Sequence, residues 1–184
     1  MSIKVTVNCP LLISLLAVFF LSGCDKNTLV EPKQGDLFPL LALEELARNS
    51  NSPINLTNKT LLINFWATWC TACRKEMPEL QQLSDTLDAD KFMLIGVSVD
   101  EDKYLMQEFL LQQQISFANY HDANQYLAGD ILAVSAYPET FLVSPQGIII
   151  KRIIGEQLWN SESMHTLLET IHKGQKIPQN GGVF

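Results

Sequence analysis

Positive charge is scarce in this chain: 13 lysines and arginines stand against 20 aspartates and glutamates among 184 residues, a formal net charge of −7. A surface of that sign repels phosphate and offers little for counterion release, so a nucleic-acid partner is not expected. Histidine is scarcer still. His121, His165 and His172 are scattered, and no second Cys-x-x-Cys pair or His-x-x-x-His pattern accompanies the four cysteines. A four-ligand zinc site is therefore not expected, and no metal or other cofactor is assigned. Repeats and low-complexity tracts are missing too, which sets aside solenoids. What remains is long enough for one domain with a real core, and its evenly spread apolar segments exclude wholesale disorder.

The apolar content is nevertheless concentrated at the start. Fifteen of residues 1–23 are hydrophobic and Lys4 is the only charged side chain among them, so the rest of the chain carries 12 basic and 20 acidic groups. Pro10 to Leu21 (PLLISLLAVFFL) is a nearly unbroken apolar run of about a dozen residues, short of the roughly 20 that a bilayer span needs. It reads as the core of a secretory signal over residues 1–23. Ser22-Gly23-Cys24 resembles a bacterial lipobox, in which Cys24 takes a lipid and becomes the first mature residue. An uncleaved anchor helix is the other reading. Either places the rest of the chain outside the cytoplasm and attached to a membrane, and Asp25 after the cysteine resembles an inner-membrane retention signal. Residues 24–36 form the lipidated start and a polar tether, which spans at most about 40 Å.

Beyond the tether, periods of two and of 3.6 alternate, an α/β signature. Thr60 to Trp66 (TLLINFW) suits a strand buried on both faces, and Phe92 to Val99 a second. Cys73 to Leu87 between them has helical spacing, with Met77, Leu80, Leu83 and Leu87 on one face. A helix is expected from Glu101 to Gln113, capped by Asp100, with Leu105, Met106 and Phe109 inward. A short strand at Ser116 to Tyr120 and a brief helix at Asn124 to Leu127 follow. Glu139 to Val143 and Ile148 to Ile154 read as strands joined by the turn Ser144-Pro145-Gln146-Gly147. Ser161 to His172 closes the domain as a helix capped at Asn160 or Ser161, with Met164, Leu167, Leu168 and Ile171 inward. Residues 37–173 thus form one domain, and 174–184 a flexible tail.

The chemistry centres on Trp69-Cys70-Thr71-Ala72-Cys73, where the first buried strand gives way to its helix. Cysteines three apart at a helix start have α-carbons about 5 to 6 Å apart, which matches disulfide geometry. Cys70 lies at the positive end of the helix dipole, which favours thiolate and makes it the nucleophile. Cys73, one turn inside, is the resolving thiol. A purely structural bridge is the plainer alternative, but one enclosing two residues restrains the unfolded chain little.

Asn64 to Pro78 (NFWATWCTACRKEMP) resembles the active-site segment of the thioredoxin superfamily, specifically its membrane-anchored TlpA/ResA-type reductases. Pro138-Glu139-Thr140-Phe141-Leu142 is similar to the cytochrome c maturation reductases (CcmG/DsbE). The resemblance implies a thioredoxin-like fold, a central mixed β-sheet flanked by helices, with a strand–helix segment around Lys103 to Leu127 inserted between the second strand and the cis-proline region. Asn64 stands where thioredoxins keep a buried aspartate. Glu76 matches the acid that the ResA branch has near its cysteines and could relay the resolving thiol's proton; the other reading is an exposed first-turn carboxylate. Pro138 matches the superfamily's cis proline, which presents the backbone of the preceding residue, here Tyr137, to a substrate strand. Trp69 flanks this groove and Trp66 reads as core. Ala72 departs from the proline common before the second cysteine, so the reduction potential does not carry over. Pro78 should kink its helix.

The resulting expectation is an extracytoplasmic protein-disulfide reductase, a lipid-anchored monomer on the periplasmic face of the cell membrane. Its clients are disulfides of exported proteins, apo-cytochrome c among the candidates, and its electrons come from a membrane donor of the DsbD/CcdA type. Net oxidation or isomerisation by the same pair stays open, as does a binding module that holds apo-cytochrome or copper.

Overall fold

The computed structural model describes residues 31–52 and 54–175. The signal segment, Cys24 and residues 176–184 lie outside the described residues. Five strands form one sheet in the order β3-β2-β1-β4-β5. These are β1 (Thr60–Trp66), β2 (Phe92–Ser98), β3 (Ala118–His121), β4 (Glu139–Val143) and β5 (Ile149–Ile154), with helices α1 (Leu40–Asn49), α2 (Thr71–Thr86), α3 (Lys103–Gln112) and α4 (Glu162–His172) around them. β1, β2 and β3 run parallel, whereas β4 and β5 are antiparallel additions on the other side of β1. The mixed sheet flanked by helices is the architecture expected from the sequence.

β1 is central, and all seven of its residues are buried. Its side chains alternate between two layers. Phe65 lies on one face with Phe141 of β4, and Phe38, just before α1, completes an edge-to-face aromatic series at centroid distances of 5.7 and 5.8 Å. Thr60, Asn64 and Trp66 lie on the opposite face, where they meet His172 of α4, Glu76 of α2 and Phe109 of α3. The long apolar run of β1 is thus explained by burial on both sides.

Local chemistry sets most boundaries. Ser161 Oγ accepts the Met164 N–H at 3.2 Å and starts α4. Met164, Leu167, Leu168 and Ile171 all face inward, as their spacing requires. Gly147, at φ +79°, closes the β4–β5 turn that Pro145 and Gly147 foretell. α2 continues through Pro78, which leaves the Arg74 carbonyl without its usual donor.

Three expectations are corrected. Asp102, not Asp100, caps α3, its Oδ1 accepting the Tyr104 N–H at 2.8 Å. Met106 and Phe109 are buried, whereas Leu105, at the edge of that face, is 51% exposed. The brief helix read at Asn124 to Leu127 is a π-helical turn over Tyr126–Ile131, entered and left through positive φ at Gln125 and Ala133. α1 has no counterpart in the sequence reading. Pro39 at its N-cap offers no side-chain acceptor, so the usual start signal is missing. Gly35 and Asp36, read as the end of the tether, hydrogen-bond to Ile149 at 2.8 Å, and Glu31 pairs with Arg152.

Gly96 lies in β2 against Asn119 of β3. A Cβ there would fall 1.9 Å from Asn119 Oδ1, the atom that accepts the buried Trp66 indole N–H at 3.0 Å. Gly96→Ala should therefore displace Asn119, orphan that indole and cost about 2 kcal/mol in urea unfolding. An unchanged midpoint would show that the β2–β3 contact yields freely.

Candidate active site

The site forms where β1 ends and α2 begins. Cys70 is the N-cap of α2, with extended backbone, and its Sγ accepts the Cys73 N–H at 3.1 Å. Cys70 and Cys73 are joined in a disulfide, with α-carbons 5.2 Å apart. Cys70 retains 8% exposure and Cys73 none, so the first sulfur is at the rim and the second beneath it. The approach to this turn is fixed by Asp100, the residue read as a helix cap. Its buried carboxylate accepts the Thr68 N–H at 3.0 Å, the Thr68 hydroxyl at 2.7 Å and the Ser98 hydroxyl at 2.7 Å. The backbone two residues before Cys70 is thereby tied to the end of β2.

Tyr137 and Pro138 are joined by a cis peptide bond, as the sequence resemblance implies. Trp69, 64% exposed, meets the Tyr137 ring edge-on at 5.6 Å. Trp66 points the other way into the core. The Ala133 to Pro138 loop is pinned from below by Arg152, which donates to the Ala133 carbonyl at 2.9 Å and pairs with fully buried Glu139. Burial pushes the Glu139 carboxyl above its ordinary value, against the opposing pull of Arg152. Lone Arg and Glu positions 13 apart carry no pattern that sequence reading could have used.

Glu76 is the most unusual group. It lies one turn beyond Cys73 on α2 and is only 2% exposed, which rules out the exposed-carboxylate reading. Asn64 Nδ2 donates to its Oε1 at 2.8 Å and also to Thr140 Oγ1 at 3.0 Å. Trp159 Nε1 donates to its Oε2 at 3.0 Å. Burial raises its pKa, while hydrogen bonds from Trp159, Asn64 and the Gln157 backbone lower it; burial wins and leaves the group at about 7. A carboxyl poised there can exchange a proton in either direction near neutrality. Thr140 and Trp159 were missed in the sequence because each is far from Glu76 along the chain.

The sequence-derived residues Trp69, Cys70, Cys73, Glu76, Tyr137 and Pro138 thus lie at or beneath one end of the sheet. The histidines do not join them: His172 meets Thr60 on the side of α4, and His121 hydrogen-bonds to the Asp100 carbonyl. Among the described residues no group of three or more histidine, cysteine, aspartate or glutamate side chains is arranged to hold a metal ion.

A family model described as AhpC/TSA family matches residues 35–152. The thiol-disulfide oxidoreductase ResA of Bacillus subtilis is 28% identical over 143 residues, which cover 77% of this chain and 78% of that protein. The thiol:disulfide interchange protein DsbE of Pseudomonas aeruginosa is 31% identical over 157 residues, 80% of this chain and 84% of the relative. A Chlorobium tepidum crystal structure described as a thiol:disulfide interchange protein DsbE superposes with a TM-score of 0.64 at 19% identity, covering 77% of this chain and 99% of the other. That likeness shows the fold, which is thioredoxin-like.

The raised Glu76 pKa has a definite consequence for stability. The folded site favours the neutral acid, so this group's contribution is full below its ordinary value of 4.5 and is lost as pH rises through about 7. The oxidised protein should lose about 3 kcal/mol from this group between those limits. Urea unfolding across pH should show the wild type losing stability relative to Glu76→Gln by about that amount. A difference that is flat with pH would contradict the assignment.

Proposed function

The chain belongs to the AhpC/TSA family of thioredoxin-like proteins, alongside thiol–disulfide oxidoreductases, and from that premise we propose that it reduces disulfides of exported proteins outside the cytoplasm. The observation that carries the reading is the asymmetric pair, with Cys70 at the rim on a helix N-terminus and Cys73 sealed below it. Cys70 thiolate attacks a client disulfide, forming a mixed disulfide and releasing one client thiolate. Cys73 then attacks Cys70 sulfur, which releases the second client thiol and leaves the pair oxidised. The dipole at the α2 N-terminus favours the Cys70 thiolate that the first step needs.

Glu76 takes the Cys73 proton as that sulfur becomes the attacking group, and returns it when the pair is reduced again. The client strand lies along Tyr137 and Pro138 with Trp69 as the opposite wall, hydrogen-bonding to the Tyr137 backbone in the manner of an added strand. Among the described residues no hydrogen bond engages that backbone N–H or carbonyl, which supports this role. The similarity to ResA and DsbE supports exported clients, with apo-cytochrome c among them, and a membrane dithiol donor of the DsbD/CcdA type to restore the electrons. The reading includes a monomer held at the periplasmic face of the cell membrane by a lipid on Cys24, which Ser22-Gly23-Cys24 supports.

Cys73→Ala should accumulate client proteins as mixed disulfides on Cys70, visible as reductant-sensitive adducts in cells, while Cys70→Ala should form none. Absence of adducts in the first variant would remove exchange catalysis through this pair. Equilibration of the isolated protein with glutathione should return a reducing potential; a value near the about −120 mV of strong oxidants would overturn the direction.

A further inference from the structure

Glu76 is held from two sides, and the second is supplied by a residue far away in sequence. Trp159 lies in the connection between β5 and α4, has no exposed surface, and directs its indole N–H at Glu76 Oε2, 3.0 Å away. Its own backbone N–H donates to Glu79 Oε2 at 3.3 Å, so the connection is fastened to α2 again one turn further on. Asn64 occupies Oε1. Both carboxyl oxygens therefore receive donors, from separate parts of the chain.

We propose that Trp159 is a positioning residue for the proton transfer in disulfide exchange, its indole N–H keeping Glu76 oriented and able to accept the Cys73 proton. The inference rests on the reading of Glu76 as that acceptor. An indole N–H can only donate, so it favours the carboxylate over the acid. Burial works in the opposite direction. Without the indole, burial would act less opposed and leave Glu76 as an acid, with no capacity to take a proton.

Atoms and electrons balance in this exchange. The Cys73 S–H proton passes to Glu76, a Cys73–Cys70 bond forms, and the Cys70–client S–S bond breaks with its electron pair on the client sulfur. The client thiolate then takes a proton from water. An external dithiol later supplies two electrons to the oxidised pair, and Glu76 returns its proton to Cys73.

Few charged or titratable groups face Glu76. Glu156 from the β5–α4 connection raises its proton affinity, Glu79 on α2 is taken up by the Trp159 backbone N–H, and the cysteine pair lies at the start of the same helix. β1 and β4 contribute the uncharged Asn64 and Thr140. A pH limb that moves in Trp159→Phe and vanishes in Glu76→Gln is thereby distinguished from that of Cys70.

The test uses the full reduced chain and a peptide containing one intramolecular disulfide, with single-turnover peptide reduction followed across pH. Besides the limb set by Cys70 thiolate formation, wild type should show a second acidic limb from Glu76, whose value in the oxidised protein is about 7, and Glu76→Gln should lack this second limb while keeping the first. Trp159→Phe keeps the ring and removes the donor. It should move that limb up by about one pH unit, slowing the reaction about fivefold near pH 7 while leaving the rate at high pH close to wild type. A uniform slowing at every pH, or an unmoved limb, would overturn the proposal and leave Trp159 as packing. A Glu76→Gln profile that keeps every limb of the wild type would instead remove the acceptor role of Glu76, and the proposal with it. Should the phenylalanine variant not fold, NMR of the wild type tests the same contact. The Trp159 indole N–H resonance should titrate with Glu76 and cease to do so in Glu76→Gln, whereas a pH-independent resonance in wild type overturns the proposal.

Discussion

Burial of β1 on both faces and both edges is the constraint from which the site follows. The strand pairs with β2 on one edge and β4 on the other, and its side chains enter two different layers of the core. It therefore has little freedom to shift in register without driving Asn64 or Phe65 to the wrong face. Its C-terminal end passes through Thr68, held by Asp100 at the end of β2, into Cys70 at the start of α2. The same strand supplies Asn64, which links Glu76 of α2 to Thr140 of β4. The reactive turn and the carboxyl beneath it thus have a common support.

Electrostatics divide the site into an outer and an inner part. Cys70 lies at a helix N-terminus near solvent, where the dipole helps a thiolate. Cys73 and Glu76 are sealed beneath, where desolvation favours the neutral acid of Glu76. The structure counters this with donors to Glu76 from Asn64 and Trp159, and the balance sets the carboxyl near neutrality. The Arg152–Glu139 pair plays a different part, fixing the loop that carries Tyr137 from the face of the sheet opposite Glu76.

Much of this was legible from the chain. β1 and β4 begin and end where their apolar runs do, and α4 starts at a serine able to cap it. The Cys70–Cys73 spacing and the resemblance around Pro138 marked the site. α1 was hidden because no side chain caps it, although Leu43 and Ala47 face inward. The cap of α3 was misplaced because two aspartates precede it, and Leu105 lies at the edge of the Met106–Phe109 face, where spacing alone does not say whether it is covered. Asp100 is instead drawn to the donors of Thr68 and Ser98, a long-range competition that local spacing does not show.

The sequence by itself determined the thiol chemistry, since two cysteines three apart at a strand-to-helix junction can bond and exchange whatever surrounds them. It also determined the alternation of elements, because period and cap are local properties. Tertiary structure alone decided the state of Glu76. Its burial, and the donors that oppose that burial, come from β1 and from a loop 83 residues away. Proton affinity depends on the solvation and dipoles within a few ångströms, and only folding brings those groups to the carboxyl.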